Sequence, residues 1–108
     1  MTMHNNASML RVEQSKALAS EVRMTILELL NDPEKHFGDQ RYQDPVKVGV
    51  CVSKLTEKLK LRQPTVSRHL ELLRRAGFVN VTRIERWSFY ARNNRGIADY
   101  TTWLAKNL

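Results

Sequence analysis

The chain has 108 residues and a net charge of +7, and its 42% hydrophobic and 27% charged residues are typical of a single globular domain over residues 1–108. No apolar run approaches the ~18 residues of a membrane span, and residues 1–6 lack the basic and apolar segments of a secretory signal. The single cysteine, Cys51, excludes an intrachain disulfide, so we expect a cytoplasmic protein.

The excess positive charge lies in one third of the chain. Residues 60–95 contain nine basic and two acidic side chains, whereas the rest of the chain contains nine of each. This segregation favours a polyanionic partner, DNA or RNA, with an anionic membrane surface as the alternative. A solvated basic face without a partner explains it less well.

Two helices are predicted in the first third of the chain. Residues 8–18 have a weak helical period, and residues 20–30 have a stronger one, with Ser20 as N-cap and Pro33 ending the helix. Residues 31–49 have no period. This segment is longer than ~12–15 residues, a length above which loops without secondary structure are uncommon in compact domains. We therefore expect it to be mobile or functional.

A helix-turn-helix follows. Apolar residues spaced three and four apart predict a helix over residues 52–59, with Ser53 or a neighbour as its N-cap. Pro64 suits the first turn of a second helix, which runs to about Ala76 and ends at Gly77. Its inward residues are Val66, Leu70 and Leu73.

The period then changes from helical to alternating. Residues 78–84 and 87–92 are predicted to form a β-hairpin with Glu85 and Arg86 near its tip. Neither Gly nor Asn lies at the tip, so we expect a connection looser than a two-residue turn. A last helix is predicted over residues 94–106. The expected fold is therefore mostly α with a small β-hairpin, in the order α-α-α-α-β-β-α.

The second helix of the pair begins with short polar side chains and one arginine. Such side chains let a helix enter the major groove, where Arg68 can read guanine and Gln63 can read adenine or bind phosphate. An ordinary amphipathic surface helix has a similar composition. The order of elements, a helix-turn-helix and then a hairpin within the basic third, favours the DNA-binding interpretation.

Residues 55–79 resemble the ArsR family of bacterial winged helix-turn-helix repressors, above all in the run Gln-Pro-Thr-Val-Ser-Arg-His-Leu at residues 63–70. The resemblance covers about residues 8–105 and continues through Arg83, Arg86, Trp87 and Tyr90 of the wing. It implies a cytoplasmic homodimer joined by its first and last helices, about residues 8–18 and 94–106. The recognition helices of the two subunits then enter successive major grooves of a roughly palindromic operator, and the wings touch the flanking DNA. Transcription is blocked until a signal lowers the affinity.

The metal-binding motifs of this family are incomplete here. Its best-known metal sensors have Cys-Val-Cys where this chain has Cys51-Val52-Ser53, and the last helix offers Asp99 without a histidine. The three histidines, His4, His36 and His69, have no ligand spacing. We therefore expect no metal and no cofactor, and a small buried apolar role for Cys51. The alternatives for Cys51 are a redox thiol or a metal ligand, the latter in a different site built with loop residues such as His36, Asp39 or Asp44.

The candidate DNA-binding residues fall into two groups. Base contacts are expected from four residues of the second helix: Gln63, Thr65, Ser67 and Arg68. Backbone or minor-groove contacts are expected from Arg83 and Arg86. His69 either contacts phosphate or packs at the junction of the helix and the wing.

The aromatic residues are assigned to packing. Trp87 and Phe89 are expected to hold the wing against the helices rather than stack on bases. Tyr100, Trp103 and Leu104 form an apolar stripe too wide for one small core, which indicates a dimer seam.

A sequence-specific DNA-binding repressor is the function that these patterns favour. A winged helix used for RNA or protein contacts is the alternative. An enzyme is not expected, because the sequence has no nucleophile–base pair, paired carboxylates or phosphate-binding loop. An unknown small-molecule inducer is a further possible partner.

Overall fold

Six helices and a three-stranded antiparallel sheet make up the part of the chain that the computed structural model describes, residues 6–41 and 43–108. The helices are α1 (Asn6–Ala17), α2 (Glu21–Asn31), α3 (Pro33–Phe37), α4 (Val52–Leu59), α5 (Gln63–Arg75) and α6 (Asn94–Asn107). The strands are β1 (Val50–Cys51), β2 (Val79–Ile84) and β3 (Trp87–Arg92), and their order in the sheet is β1-β3-β2. None of the helices described is long and apolar enough to cross a membrane.

The predicted helix-turn-helix and hairpin are confirmed, and so is the mostly helical fold. Ser20 caps α2, since its hydroxyl accepts a hydrogen bond of 3.2 Å from the Arg23 N–H. Cys51 holds the N-cap position of α4 and makes no side-chain capping bond, so the side-chain cap expected from Ser53 or a neighbour is not formed. Pro64 lies in the first turn of α5, and Gly77 follows the helix with a φ of +81°, a conformation that glycine adopts at little cost.

Residues 31–41 and 43–49 are more ordered than the sequence suggested, and the predicted element order lacked α3 and β1. Asp32 caps α3 through the Lys35 N–H, and Phe37 is buried in the core. The Gln40 side chain donates to the carbonyls of Gln43 and Gly49, and its oxygen accepts from the Cys51 N–H. These hydrogen bonds are made by one polar side chain, so the spacing of apolar residues in the sequence does not predict them.

The hairpin is tighter than expected. Ile84 pairs with Trp87 across β2 and β3, so Glu85 and Arg86 alone form the turn. Glu85 has a φ of +56°, the left-handed conformation that the turn requires. The prediction of a looser connection was wrong, because a non-glycine residue tolerates this φ at a cost of roughly 1–3 kcal/mol.

The core lies where α2, α4, α5 and α6 meet the sheet. Tyr100 belongs to this core: it is buried against Phe78, with ring centroids 5.4 Å apart, and its hydroxyl is 2.7 Å from the Ser15 hydroxyl. Its expected place in a dimer seam is therefore corrected. Trp103 and Leu104 are partly buried at the edge of the core. The fully buried large side chains include Ile26, Phe37, Leu55, Val66, Leu70, Leu73 and Phe78.

A hydrogen-bonded junction fixes α6 against the end of α5. The Asn93 N–H donates to the Phe78 carbonyl at 2.8 Å, and its side-chain amide donates to the Gly77 carbonyl at 2.9 Å. The Asn93 side-chain oxygen caps α6 by accepting from the Gly96 N–H. This junction sets the position of the hairpin and α6 relative to α5.

Candidate nucleic-acid interface

Helix α5 presents one face to solvent and the opposite face to the core. Val66, Leu70 and Leu73 are fully buried, and their burial fixes the rotation of the helix about its axis. Gln63, Pro64, Thr65 and Arg68 are exposed as a result. The exposed surface carries hydrogen-bonding groups and no large apolar side chain, which is what a helix that reads base edges needs.

A groove of about 400 Å³ separates α5 from the wing, the hairpin formed by β2 and β3. Four of the seven predicted DNA-binding residues line it: Gln63 and Ser67 from α5, and Arg83 and Arg86 from the wing. Thr65 and Arg68 lie on the exposed surface of α5 outside this lining. The structure thus brings residues about twenty positions apart in sequence to the two sides of one groove.

Sequence reasoning missed Glu71, which lies in the same groove. Its carboxylate accepts two hydrogen bonds from the Arg74 guanidinium, of 2.8 and 2.7 Å. These bonds hold the pKa of Glu71 below its usual value. The three-residue spacing of the pair on a helix could have revealed it. One of the nine basic residues of the charged third is therefore already paired with a carboxylate inside the groove.

Tyr90 and Ser88 also line the groove and were not predicted as site residues. Burial raises the pKa of Tyr90, while the nearby Arg83 acts in the opposite direction. The phenol is therefore protonated near neutral pH, and its O–H can donate a hydrogen bond to an acceptor such as a phosphate oxygen.

Comparison with known proteins shows the family to which the chain belongs. Residues 50–81 match the sequence model of a protein family described as bacterial regulatory protein, arsR family. The chain is 39% identical to the HTH-type transcriptional regulator YbzH of Bacillus subtilis (strain 168) over 93 residues, which cover 86% of this chain and 93% of YbzH. The chain belongs to the ArsR family. It is a DNA-binding transcriptional regulator, and its relatives are regulators rather than enzymes.

Solved ArsR-type structures share the fold. The ArsR family transcriptional regulator RHA00566 superposes with a TM-score of 0.69 at 18% identity, covering 98% of this chain and 91% of that one. HlyU from Vibrio cholerae N16961 superposes with a TM-score of 0.62 at 27% identity, covering 96% and 98%. The mostly helical fold with a small antiparallel sheet is thus the winged helix of these ArsR and HlyU regulators.

His69 of this ArsR-family chain does not lie at the junction of α5 and the wing, which corrects one of its two predicted positions. Its Nδ1 atom is 3.0 Å from Nη1 of Arg23 on α2. Arg23 also donates to the Ala17 carbonyl at 2.7 Å and so ties the end of α1 to α5. Burial, and then the charges of Arg23 and Arg68, lower the pKa of His69. The ring is therefore neutral at pH 7, and Nδ1 accepts from Arg23.

Of the three aromatic residues of β3, Trp87 and Phe89 were expected to pack, and they behave differently. Phe89 is buried as expected, whereas Trp87 is 41% exposed. The Arg86 guanidinium lies 5.5 Å from the centre of the Trp87 ring, a cation–π contact at the wing tip. Trp87 is therefore only partly covered by the rest of the chain, and it also contacts Arg86 at the wing tip.

Cys51 is buried, and its sulfur lies 3.2 Å from the Ser53 hydroxyl. Within residues 6–41 and 43–108, no three His, Cys, Asp or Glu side chains are placed to hold a metal ion. The loop carboxylates and His36 are thus not gathered around Cys51. His4 lies outside the described residues.

Proposed function

We propose that this ArsR-family regulator is a cytoplasmic homodimeric repressor that binds an inverted-repeat operator in double-stranded DNA. The observation that carries the proposal is the groove flanked by the polar face of α5 and by the arginines of the wing. A helix that enters the major groove and a wing that grips the neighbouring backbone would use these two sides together.

Base readout is assigned to the face of α5. Arg68 is exposed and has no ion pair among the described residues, so its guanidinium is free to bind guanine through two hydrogen bonds. Gln63, Thr65 and Ser67 supply shorter donors and acceptors on the first turns of the same helix. Their small size allows close approach of the backbone to the base edges.

Backbone contacts are assigned to the wing and to His69. Arg83 and Arg86 are exposed at the end of the hairpin, where they can neutralise phosphates without reading sequence. With Nδ1 held by Arg23, the remaining ring N–H of His69 can donate to a phosphate oxygen. The neutral form of the His69 ring is sufficient for this contact, so the ring does not have to be protonated.

The dimer is assigned to α1 and α6. Arg11 of α1 forms a 3.0 Å ion pair with Asp99 of α6 and lies 5.2 Å from the Trp103 ring centre, so the two helices are held side by side. Apolar side chains stay exposed on α1: Met9 by 55%, Leu10 by 39% and Val12 by 52%. A two-fold dimer through this surface would place its recognition helices one DNA turn, about 34 Å, apart and would require an inverted repeat.

Selection of duplex DNA from a random pool, followed by titration of wild-type and variant proteins, tests this function. We expect the selected site to be an inverted repeat that binds orders of magnitude more tightly than random duplex DNA. Arg68→Ala should cost about 1–3 kcal/mol and relax specificity at one position in each half-site. Arg83→Gln should weaken all sequences alike and lower the salt slope by about one.

The control is Lys35→Ala, which removes an exposed charge on α3 away from the groove. It should leave both affinity and preference unchanged. Unaltered preference in Arg68→Ala would show that α5 does not read bases as assigned. Equal affinity for random and selected DNA would instead support the RNA- or protein-binding alternative.

A further inference from the structure

A second cavity, of about 320 Å³, lies between α2 and α6 and reaches the start of β2 and the end of β3. Its volume is at the lower end of the range of small-molecule sites, and its lining is mainly apolar. It shares no lining residue with the groove between α5 and the wing. The apolar lining residues are Leu18, Met24, Leu27, Phe78, Ile97 and Tyr100.

One cationic side chain, Arg92, lines this cavity. Its Nε atom is buried without a hydrogen-bond partner, the sole such side-chain atom among the described residues. Its Nη1 atom makes a 3.4 Å contact with the Leu27 carbonyl, which is longer than an ordinary N–H···O bond. No described carboxylate lies within ion-pair distance of it. A partly buried guanidinium with an unused donor is energetically unfavourable until an acceptor completes its hydrogen bonds, and a carboxylate does so while also pairing with its charge.

We propose that this cavity binds a small organic monocarboxylate with an apolar body, its carboxylate paired with Arg92 and its body packed between α2 and α6. A guanidinium presents two parallel N–H groups to a carboxylate, and the weak contact with Leu27 is the one bond lost when it turns toward the ligand. The apolar walls supply the remaining affinity by excluding water from the ligand body.

Glu28 also lines the cavity and is the one carboxylate of that lining. It is exposed and forms no ion pair with Arg92, so its charge is screened by solvent. The buried donor of Arg92 favours an anion more strongly than the exposed Glu28 favours a cation, because charge interactions strengthen with burial.

The cavity adjoins the junction that positions α5. Phe78 lines the cavity, its N–H donates to the Leu73 carbonyl at the end of α5, and its carbonyl accepts from Asn93. Arg92 directly precedes Asn93. A ligand that moves Phe78 and Arg92 therefore acts on the end of α5, the recognition helix, and on the base of the wing. We expect such a ligand to lower the affinity for DNA.

Calorimetric titration of the DNA-free protein tests the ligand class. The probes are octanoate, 3-phenylpropionate, octanol and octylamine, which separate alkyl from aromatic bodies and anionic from neutral and cationic heads. We expect at least one carboxylate to bind with a Kd of about 1 mM or below and octanol about tenfold or more weakly. Tighter binding of octylamine, or no binding of either carboxylate, would overturn the proposal.

Arg92→Gln should weaken carboxylate binding about ten- to a hundredfold and leave octanol binding unchanged. Arg95→Gln is the matched control, since it removes an exposed charge from α6 outside the cavity. Met24→Trp is a second variant: Met24 is 49% exposed, so a larger side chain should narrow the cavity without disturbing the fold. Equal carboxylate affinity in wild type and Arg92→Gln would refute the pairing.

Two further readouts separate the possible explanations. Sedimentation with octanoate shows whether the ligand displaces a second copy of the chain from the cavity, and a ligand-dependent loss of dimer would contradict the proposal. Fluorescence titration of selected DNA with and without octanoate measures the regulatory effect. This last readout rests on the proposed function, whereas the calorimetry does not, so failure of one is distinguishable from failure of the other.

Discussion

At the level of single residues, the structure shows which arginines of the site form ion pairs with carboxylates, and the sequence does not. The sequence shows only an arginine-rich segment. The structure divides those arginines into paired and free ones, because Arg74 is bound by Glu71 whereas Arg68, Arg83 and Arg86 have no carboxylate partner among the described residues. Free guanidinium groups determine phosphate attraction, so the local pairing matters more than the total charge.

Glu71→Gln should strengthen binding to all duplex sequences, because it removes a negative charge from the groove and releases Arg74. We expect the gain to be largest at low salt and the salt slope to steepen by about one. Fluorescence anisotropy at several salt concentrations measures both effects. Glu57→Gln, on the exposed surface of α4, is the control. A loss of affinity with altered preference at one base pair would show instead that Glu71 accepts a hydrogen bond from a base.

His69 should make folding stability depend on pH. Its pKa is lowered from 6.5 in the folded chain by burial and by Arg23 and Arg68, so the unfolded chain takes up the proton first. The stability is therefore present above about pH 6.5 and is lost as the pH falls below it. Urea unfolding at about pH 7.5 and 5.5 should show a smaller loss in His69→Asn than in wild type. The same loss in both proteins would exclude His69 as the cause.

At the scale of elements, the position of α6 depends on close backbone contact. A Cβ atom added at Gly96 would clash with the Gly77 carbonyl oxygen, which itself accepts from the Asn93 amide. Only glycine allows the first turn of α6 to approach the end of α5 this closely. Neither the helical period nor the capping pattern of the sequence indicates this requirement.

Gly96→Ala should therefore destabilise the fold, although alanine normally favours a helix. We expect a loss of about 1–3 kcal/mol, as for an overpacked site. Asn94→Ala, at the exposed start of the same helix, should change stability far less. Thermal and urea unfolding give both values. An increase in stability for Gly96→Ala would mean that the junction relaxes without cost.

At the scale of the whole molecule, the terminal helices serve both the core and the proposed dimer. Tyr100 packs inside the chain, so deletion of α6 would unfold the domain and would reveal nothing about association. The exposed apolar residues of α1 give a cleaner test, because they contribute little to the core of the single chain.

Met9→Glu combined with Val12→Glu should separate the subunits while each remains folded, because charges would replace apolar contacts at the interface. We expect the dimer dissociation constant to rise about tenfold or more, with a parallel loss of operator affinity. Sedimentation equilibrium measures the first and DNA titration the second. Val46→Glu, at an apolar side chain that is 58% exposed outside the terminal helices, is the matched control. An unchanged dimer would remove α1 from the interface.

Much of the fold could be predicted because its signals are local. The period of apolar residues places α2, α4, α5 and α6, and Pro64 and Gly77 mark the ends of α5 within two residues. The hairpin strands follow from alternation, and four of the seven predicted site residues meet in one groove as the motif implies. The order of the elements and the polar start of α5 were enough to indicate a winged-helix regulator.

The family, the helix-turn-helix and the arginine-rich segment could be recognised from the amino-acid sequence, because they depend on patterns among residues that are close together in the chain. Three features became visible in the folded chain: which of those charges are free, where His69 and Tyr100 lie, and how residues 31–41 and 43–49 are ordered. These outcomes depend on contacts between residues far apart in the chain: Arg23 with His69, Ser15 with Tyr100 and Gln40 with Cys51. Such contacts are made by side chains after packing has fixed the elements, so no period along the chain records them.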